Sequence, residues 1–255
     1  MNNAIVICQK ELRSYFVSPI AYGLGGFFAL LAGYFFYIAT AYFVQQGMQM
    51  QMMGRQMPMN INENIIRPVL MNLSVFGLFI IPMITMRLFA EEKRSGTIEL
   101  LVTSPITDLE IIAGKWFAAV LMYAAILALS LFSMFLLFAY GKPDWRPMMC
   151  GYLGLLLQGS SLLSLGTFIS NTTKNQIVAG TATFAISLML WVFDWVSSFE
   201  QAAWAKVLSY LSVVTHFESF AKGVIDTKDV VFYLSVCVFG LFLTARSMES
   251  LRWRS

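Results

Sequence analysis

The sequence predicts an all-α integral membrane protein with six transmembrane helices, an N-terminal interfacial helix and a short helix held in a cytoplasmic loop. Three observations predict it. The first is composition: 58% of the 255 residues are hydrophobic and 12% are charged, with a mean hydropathy of +0.69. Soluble domains carry about 25% charged residues. The second is a set of six apolar runs near the roughly 20 residues that a helix needs to cross a bilayer, at 20–44, 69–86, 116–140, 150–169, 176–193 and 230–245. The third is where the charges collect. Residues 91–115 hold eight ionisable side chains between two runs almost free of charge, and Arg87 just upstream makes nine.

Taken in order, residues 2–16 place Ile5, Cys8, Leu12, Tyr15 and Phe16 on one helical face and Lys10 and Arg13 on the other, the pattern of a helix lying along the membrane surface. The first span repeats small residues every fourth position, at Ala21, Gly25, Ala29 and Gly33. Such a stripe lets another helix approach closely, either as a dimer seam or within the chain. The outer loop that follows holds Met48, Met50, Met52, Met53, Met57 and Met59. Thioethers are soft Cu(I) ligands and also adaptable packing groups; no Cys or His accompanies them.

After the second span comes the charged loop. Ser95-Gly96-Thr97 breaks and recaps the chain, 98–103 is one short helical run, and Ser104-Pro105 stops it. Thr107 with Glu110 forms a capping box that starts the next helix. On the fourth span Ser160, Ser164 and Thr167 share a face with Gln158 and Ser161 near it, and the fifth offers Thr181, Thr183 and Ser187. These residues line a translocation path or hydrogen-bond between helices. Residues 197–229 are partly polar, with an amphipathic pattern of Ala202, Trp204, Val207, Leu208 and Leu211 that dips into the outer leaflet. Trp116, Trp191, Trp195 and Trp253 fall near span ends, where indoles favour the interface.

Six spans put both termini on one side. With that side cytoplasmic, ten of the 17 Lys and Arg residues face inward and seven outward, the direction the positive-inside rule favours. No cleavable signal pattern is read at the start.

Catalytic machinery is missing from the sequence. It has one histidine, no phosphate-binding loop and no zinc, nucleophile-elbow or paired-carboxylate motif inside a span. Cys8, Cys150 and Cys237 are widely spaced, so no disulfide framework or metal site is read. A net charge of +3 spread over loops argues against nucleic acid as a partner. His216 with Glu218 forms a proton-relay pair at the outer face, or His216 is structural.

Four blocks carry a resemblance: KELRSYFVSPIAY at 10–22, FAEEKRSGTIELLVTSPIT at 89–107, THFESFAKGVIDTKDVVFYL at 215–234 and ARSMESLRWR at 245–254. With them the chain resembles the permease subunits of ABC-2 type transporters, and within those the gliding-motility-associated group. The resemblance implies one transmembrane domain over 1–255, comprising an interfacial helix at 1–18, a cytoplasmic coupling loop at 87–115 and an outer re-entrant loop at 197–229. It implies a multi-pass protein of the bacterial inner membrane, with both termini cytoplasmic, paired with a second permease copy or paralogue and served by separately encoded cytoplasmic ATPase subunits. A periplasmic accessory protein and membrane lipid are further expected partners. The chain itself carries no cofactor, and ATP and Mg belong to the ATPase.

The same resemblance implies that the ATPase contact is built from Lys10, Glu11 and Arg13 of the surface helix together with Glu91, Glu92, Arg94, Ser95, Gly96, Thr97, Glu99, Leu100, Leu101 and Pro105 of the loop. Gln158, Ser160, Ser164, Thr167 and Thr181 are the candidate path-lining residues. The reading from another class is a non-transporting scaffold or mechanotransmission subunit driven by the same ATPase. The two differ in whether a polar cavity runs between the spans.

Overall fold

The computed structural model describes residues 2–53, 60–199 and 203–252. The element order is α1 (Asn2–Val17), α2 (Pro19–Met52), a π-helical turn (Asn62–Ile66), α3 (Arg67–Thr85), α4 (Ala90–Ser95), α5 (Ile98–Val102), α6 (Asp108–Tyr140), α7 (Trp145–Thr172), α8 (Gln176–Phe199), α9 (Ala203–Tyr210), α10 (Val213–Ala221) and α11 (Thr227–Arg252). Among the described residues, six stretches are long and apolar enough to cross a membrane: Pro19–Met52, Asn62–Ser95, Asp108–Tyr140, Trp145–Thr172, Gln176–Trp195 and Thr227–Ser250. No strand occurs among the described residues.

α7 is the hub. In its most apolar stretch 67% of residues are buried, against 11% for α2, because its small residues admit neighbours on several sides. A Cβ added at Gly151 would meet Leu70 of α3 at 2.3 Å, one at Gly154 would meet Phe220 of α10 at 2.5 Å, and one at Gly159 would meet Tyr123 of α6 at 2.1 Å. Small residues allow such backbone approach where lipid removes the hydrophobic drive for helices to associate.

Several boundaries differ from the sequence reading. The first span continues to Met52, 34 residues or about 51 Å at 1.5 Å per residue. Met48, Met50 and Met52 therefore belong to a helix, with Met53 as its C-cap, and not to a loop. Gln and Met are good helix formers, so the outer end of the span carries the helix past the hydrocarbon. Met57 and Met59 lie outside the described residues, as do Ala202 and Trp253.

α6 starts at Asp108, where the Thr107–Glu110 capping box puts it and eight residues before the apolar run at 116–140, so Lys115 sits two turns inside a helix. The interfacial helix forms as expected, with Ile5 and Phe16 of its apolar face exposed and Ile7 and Tyr15 buried; Ala4, Ile7 and Glu11 meet Gly114 and Lys115 of α6, and Tyr15 meets Ile84 of α3. The stripe on α2 is divided. Ala21 and Gly25 are buried, and a Cβ at Gly25 would meet Leu129 of α6 at 3.2 Å, whereas one at Gly33 would meet nothing within 4 Å.

Candidate functional site

At one end of the bundle α1 and the α3–α6 connection form a single unit around Lys115. Its ammonium has three donors, and all are used: Nζ is 2.8 Å from Glu11 Oε1 of α1, 2.9 Å from Glu92 Oε1 of α4 and 2.8 Å from the Leu88 carbonyl. The Lys115 side chain is 1% exposed and both carboxylates 16%. A lysine this deep is tolerated only when paired and hydrogen-bonded. The Phe89 ring lies 5.2 Å below it, and Lys10 stands 3.9 Å from Glu92 at the rim. One cation thus fastens the surface helix and the start of the charged connection to the third span.

Secondary ties hold the same pieces. Asn3 Nδ2 donates to Glu110 at 3.4 Å, and the Tyr15 hydroxyl donates to the Ile84 carbonyl at 3.0 Å; burial, with Glu11 beside it, pushes the Tyr15 phenol up. Arg87 pairs with Glu91 at 3.3 Å and donates to Ser18 Oγ at 3.1 Å. Ser170 of α7 accepts from the backbone N–H groups of Phe89 and Ala90 at 3.1 and 3.2 Å, satisfying two open donors at the start of α4. Lys93 donates to the Asn171 carbonyl.

Beyond α4 the chain turns at Gly96, whose φ of 76° lies in the left-handed region that other residues rarely adopt. It then makes the five-residue α5 and stops at Ser104-Pro105. Thr107 and Glu110 form a full capping box, with Thr107 N–H donating to Glu110 Oε2 at 3.2 Å and Glu110 N–H to Thr107 Oγ1 at 3.4 Å. Both ends of α5 are therefore fixed. Glu91, Arg94, Ser95, Gly96, Thr97, Glu99 and Pro105 are exposed, and Leu100 is 73% exposed. On α1, Lys10 and Arg13 are exposed. Glu11, Glu92 and Leu101 turn inward instead. Between α1 and this connection runs a groove of about 500 Å³, lined by Lys10, Ser14, Arg87, Glu91, Thr97 and Leu100 among others.

The other candidates scatter. Gln158, Ser164 and Thr167 are buried in α7; Gln158 Oε1 accepts from Ser74 of α3 at 2.8 Å, and the Ser164 hydroxyl donates to Ser161 O at 2.7 Å and Val236 O of α11 at 3.2 Å. Ser160 is half-buried, its carbonyl accepting from Trp116 Nε1 at 3.1 Å, and Thr181 is exposed on α8. The structure does not bring these five together at one surface. His216 does not pair with Glu218, which meets Arg67 at 3.7 Å and Lys222 at 3.3 Å; its partner is Asp229.

The sequence reading places Lys115 at the end of the 87–115 loop and does not name it among the site residues, because its partners Glu11 and Glu92 lie far from it in the chain.

Six spans, an interfacial helix and a connection pinned by a buried cation define a multi-pass α-helical membrane protein with a fixed handle at one end. The chain belongs to the ABC-2 transporter family: the model described as "ABC-2 family transporter protein" matches residues 5–245. Among its relatives are two described as "Probable multidrug ABC transporter permease YbhR", from Escherichia coli strain K12 and from O157:H7. Each is 26% identical over 140 residues, covering 53% of this chain and 37% of the relative. The chain thus matches little more than a third of these relatives' length.

Proposed function

We propose that this chain is the membrane-spanning permease subunit of an ABC transporter of the bacterial inner membrane, with both termini cytoplasmic, and that a separate cytoplasmic ATPase drives it through α1 and α5. The observation that carries this reading is the Lys115 cluster. A force applied to exposed Glu99 and Leu100 on α5 passes through a connection fixed at Gly96, Thr107 and Ser170, and the cluster at its base links α1, α4 and α6, so a push cannot be absorbed locally. ATP and Mg belong to the ATPase, and a second permease copy or paralogue completes the membrane unit. The family match supports the permease class, and the relatives' description as multidrug permeases supports transport of a small molecule. The narrower likeness to gliding-motility-associated permeases rests on the four sequence blocks.

A second reading, mechanotransmission without transport, draws on the same handle. What favours it is that Gln158, Ser164 and Thr167 are engaged in helix packing and not turned to an open polar path.

Co-purification with the cognate ATPase, followed by ATP turnover in nanodiscs, tests the docking claim. Glu99→Lys combined with Gly96→Trp is expected to abolish co-purification or lower turnover at least tenfold while the permease remains folded. Full retention of both would remove α5 from the contact. Uptake of a fluorescent multidrug substrate into inverted vesicles separates transport from mechanotransmission.

A further inference from the structure

At the opposite end, α10 and the first turn of α11 bring the chain's one histidine against a carboxylate thirteen residues further on. His216 Nδ1 lies 2.7 Å from Asp229 Oδ1, and Nε2 lies 2.9 Å from the Tyr210 carbonyl oxygen. The two residues are 3% and 1% exposed. The imidazole stacks on Phe232 at 3.9 Å and 19°, and meets the Tyr210 ring edge-on at 5.0 Å. The Tyr233 hydroxyl donates to the Val213 carbonyl at 2.6 Å just behind it.

A carbonyl oxygen only accepts, so Nε2 must carry a hydrogen. Between Nδ1 and Oδ1, each of which otherwise presents a lone pair, a 2.7 Å contact requires one proton. Whichever atom holds it, imidazolium with carboxylate or imidazole with carboxylic acid, the pair is neutral as a whole. We propose that His216 and Asp229 share a single proton and so form a latch that seats the α9–α10 hairpin in the outer end of the bundle, and that a second proton releases it. This goes beyond the permease reading and does not depend on it.

The latch works because both departures from one proton are costly. Without the proton, a buried carboxylate faces a ring lone pair. With a second, the acceptor left in the pair is Asp229 Oδ2, which is buried and has no hydrogen-bond partner among the described residues. Filling it sets an imidazolium opposite a neutral acid, with an uncompensated positive charge among aromatic rings.

The other ionisable groups near the pair have closer partners: Lys228 is paired with Asp226 at 3.0 Å and also feels the Asp229 charge, Glu218 is turned to Arg67 and Lys222, and Asp194 of α8 accepts from Thr215 at 2.9 Å. The Tyr210 and Tyr233 rings pack beside the imidazole. The Tyr210 carbonyl ends α9, and residues 211 and 212 separate it from α10, so loss of the Nε2–H bond frees the hinge of the hairpin. Trp204 and Val207 on α9 are 53% and 63% exposed; α9 also packs against α8, and the His216–Tyr210 bond ties it to α10.

Because the chain has one histidine, nitrogen NMR of labelled imidazole in the full chain in nanodiscs reads the pair directly. The expected result at neutral pH is a ring with Nε2–H and a proton shared between Nδ1 and Asp229. Asp229→Asn supplies an amide that donates to a neutral imidazole. It is expected to keep the hairpin protected from amide exchange over 203–221 at about pH 8 and to lose that protection at least tenfold, after correction for intrinsic rates, at about pH 5.5. The unaltered chain keeps its protection there and loses it only in stronger acid. An unaltered chain whose ring nitrogen Nε2 carries no hydrogen, or whose Nδ1 shares no proton, would overturn the proposal, and so would Asp229→Asn hairpins equally protected at both pH values.

Discussion

The two ends of the bundle each bury an ionisable cluster, and they are built differently. Around Lys115 one cation meets two carboxylates whose side chains are 16% exposed, beside a groove of about 500 Å³ open to water. Around His216 one histidine meets one carboxylate, both almost fully buried and walled by Phe232, Tyr210 and Tyr233. The first cluster ties three separate elements and leaves polar capacity at its rim, as a site that another protein pushes on requires. The second closes on itself and fixes one hairpin. Exposure separates the two clusters: an open rim with Lys10 beside Glu92 at one end, enclosure by aromatic rings at the other.

The sharpest way to break this contrast is Lys115→Met. Removing the cation leaves Glu11 without its ion-pair partner and Glu92 with only Lys10 at 3.9 Å, and breaking a buried pair on one side costs about 3–5 kcal/mol. A large fall in thermal stability is expected, with amide protection lost over α1 while the α9–α10 hairpin keeps its own. Equal loss at both ends would mean that the two clusters are not independent.

A smaller effect is expected from Gly114→Ala, one residue before the cation. The added Cβ would lie 2.7 Å from the Ala4 carbonyl oxygen and 2.9 Å from Ile7 Cβ, so α1 must shift, at a cost of about 1–3 kcal/mol. Coupled ATP turnover should fall more than stability does, which paired turnover and unfolding measurements on the same preparation decide.

The smallest is chemical. Burial first, and then the Glu11 charge, push the Cys8 thiol up from its ordinary value, and the thiolate is the reactive form. Maleimide labelling of Cys8 should therefore be slow at neutral pH and accelerate only in more alkaline buffer than a free cysteine needs. Glu11→Gln should speed it slightly; no change on that substitution would place Cys8 outside the influence of the inner cluster.

Much of this was legible from the residues in order. Apolar run length gave six spans, and local chemistry gave the short helix at 98–102, the turn at Gly96 and the Thr107–Glu110 capping box, because each depends on neighbours within four residues. What was not legible depends on residues far apart in the chain. Lys115 falls in the helix that the Thr107–Glu110 capping box starts, but its partners are 104 and 23 residues away. His216 reads as structural or as paired with Glu218, two residues on; i and i+2 do not share a helical face, and the partner, Asp229, lies across a turn on another helix. The Gln- and Met-rich end of α2 looked like a loop because polarity outweighed helix propensity in the reading.

The central claim, that α5 is the handle for an ATPase, is tested most directly by site-specific photocrosslinking in membranes that contain the cognate ATPase. A photoreactive residue replacing Leu100 on α5, and in a separate variant one replacing Val207 on α9, compare the two ends in one gel, since both positions are exposed at 73% and 63%. The account predicts an ATPase adduct from position 100 that strengthens when ATP turnover is stalled, and none from position 207. An adduct from position 207 with none from position 100 would contradict it, placing the ATPase at the latch end and the handle on the far side of the membrane.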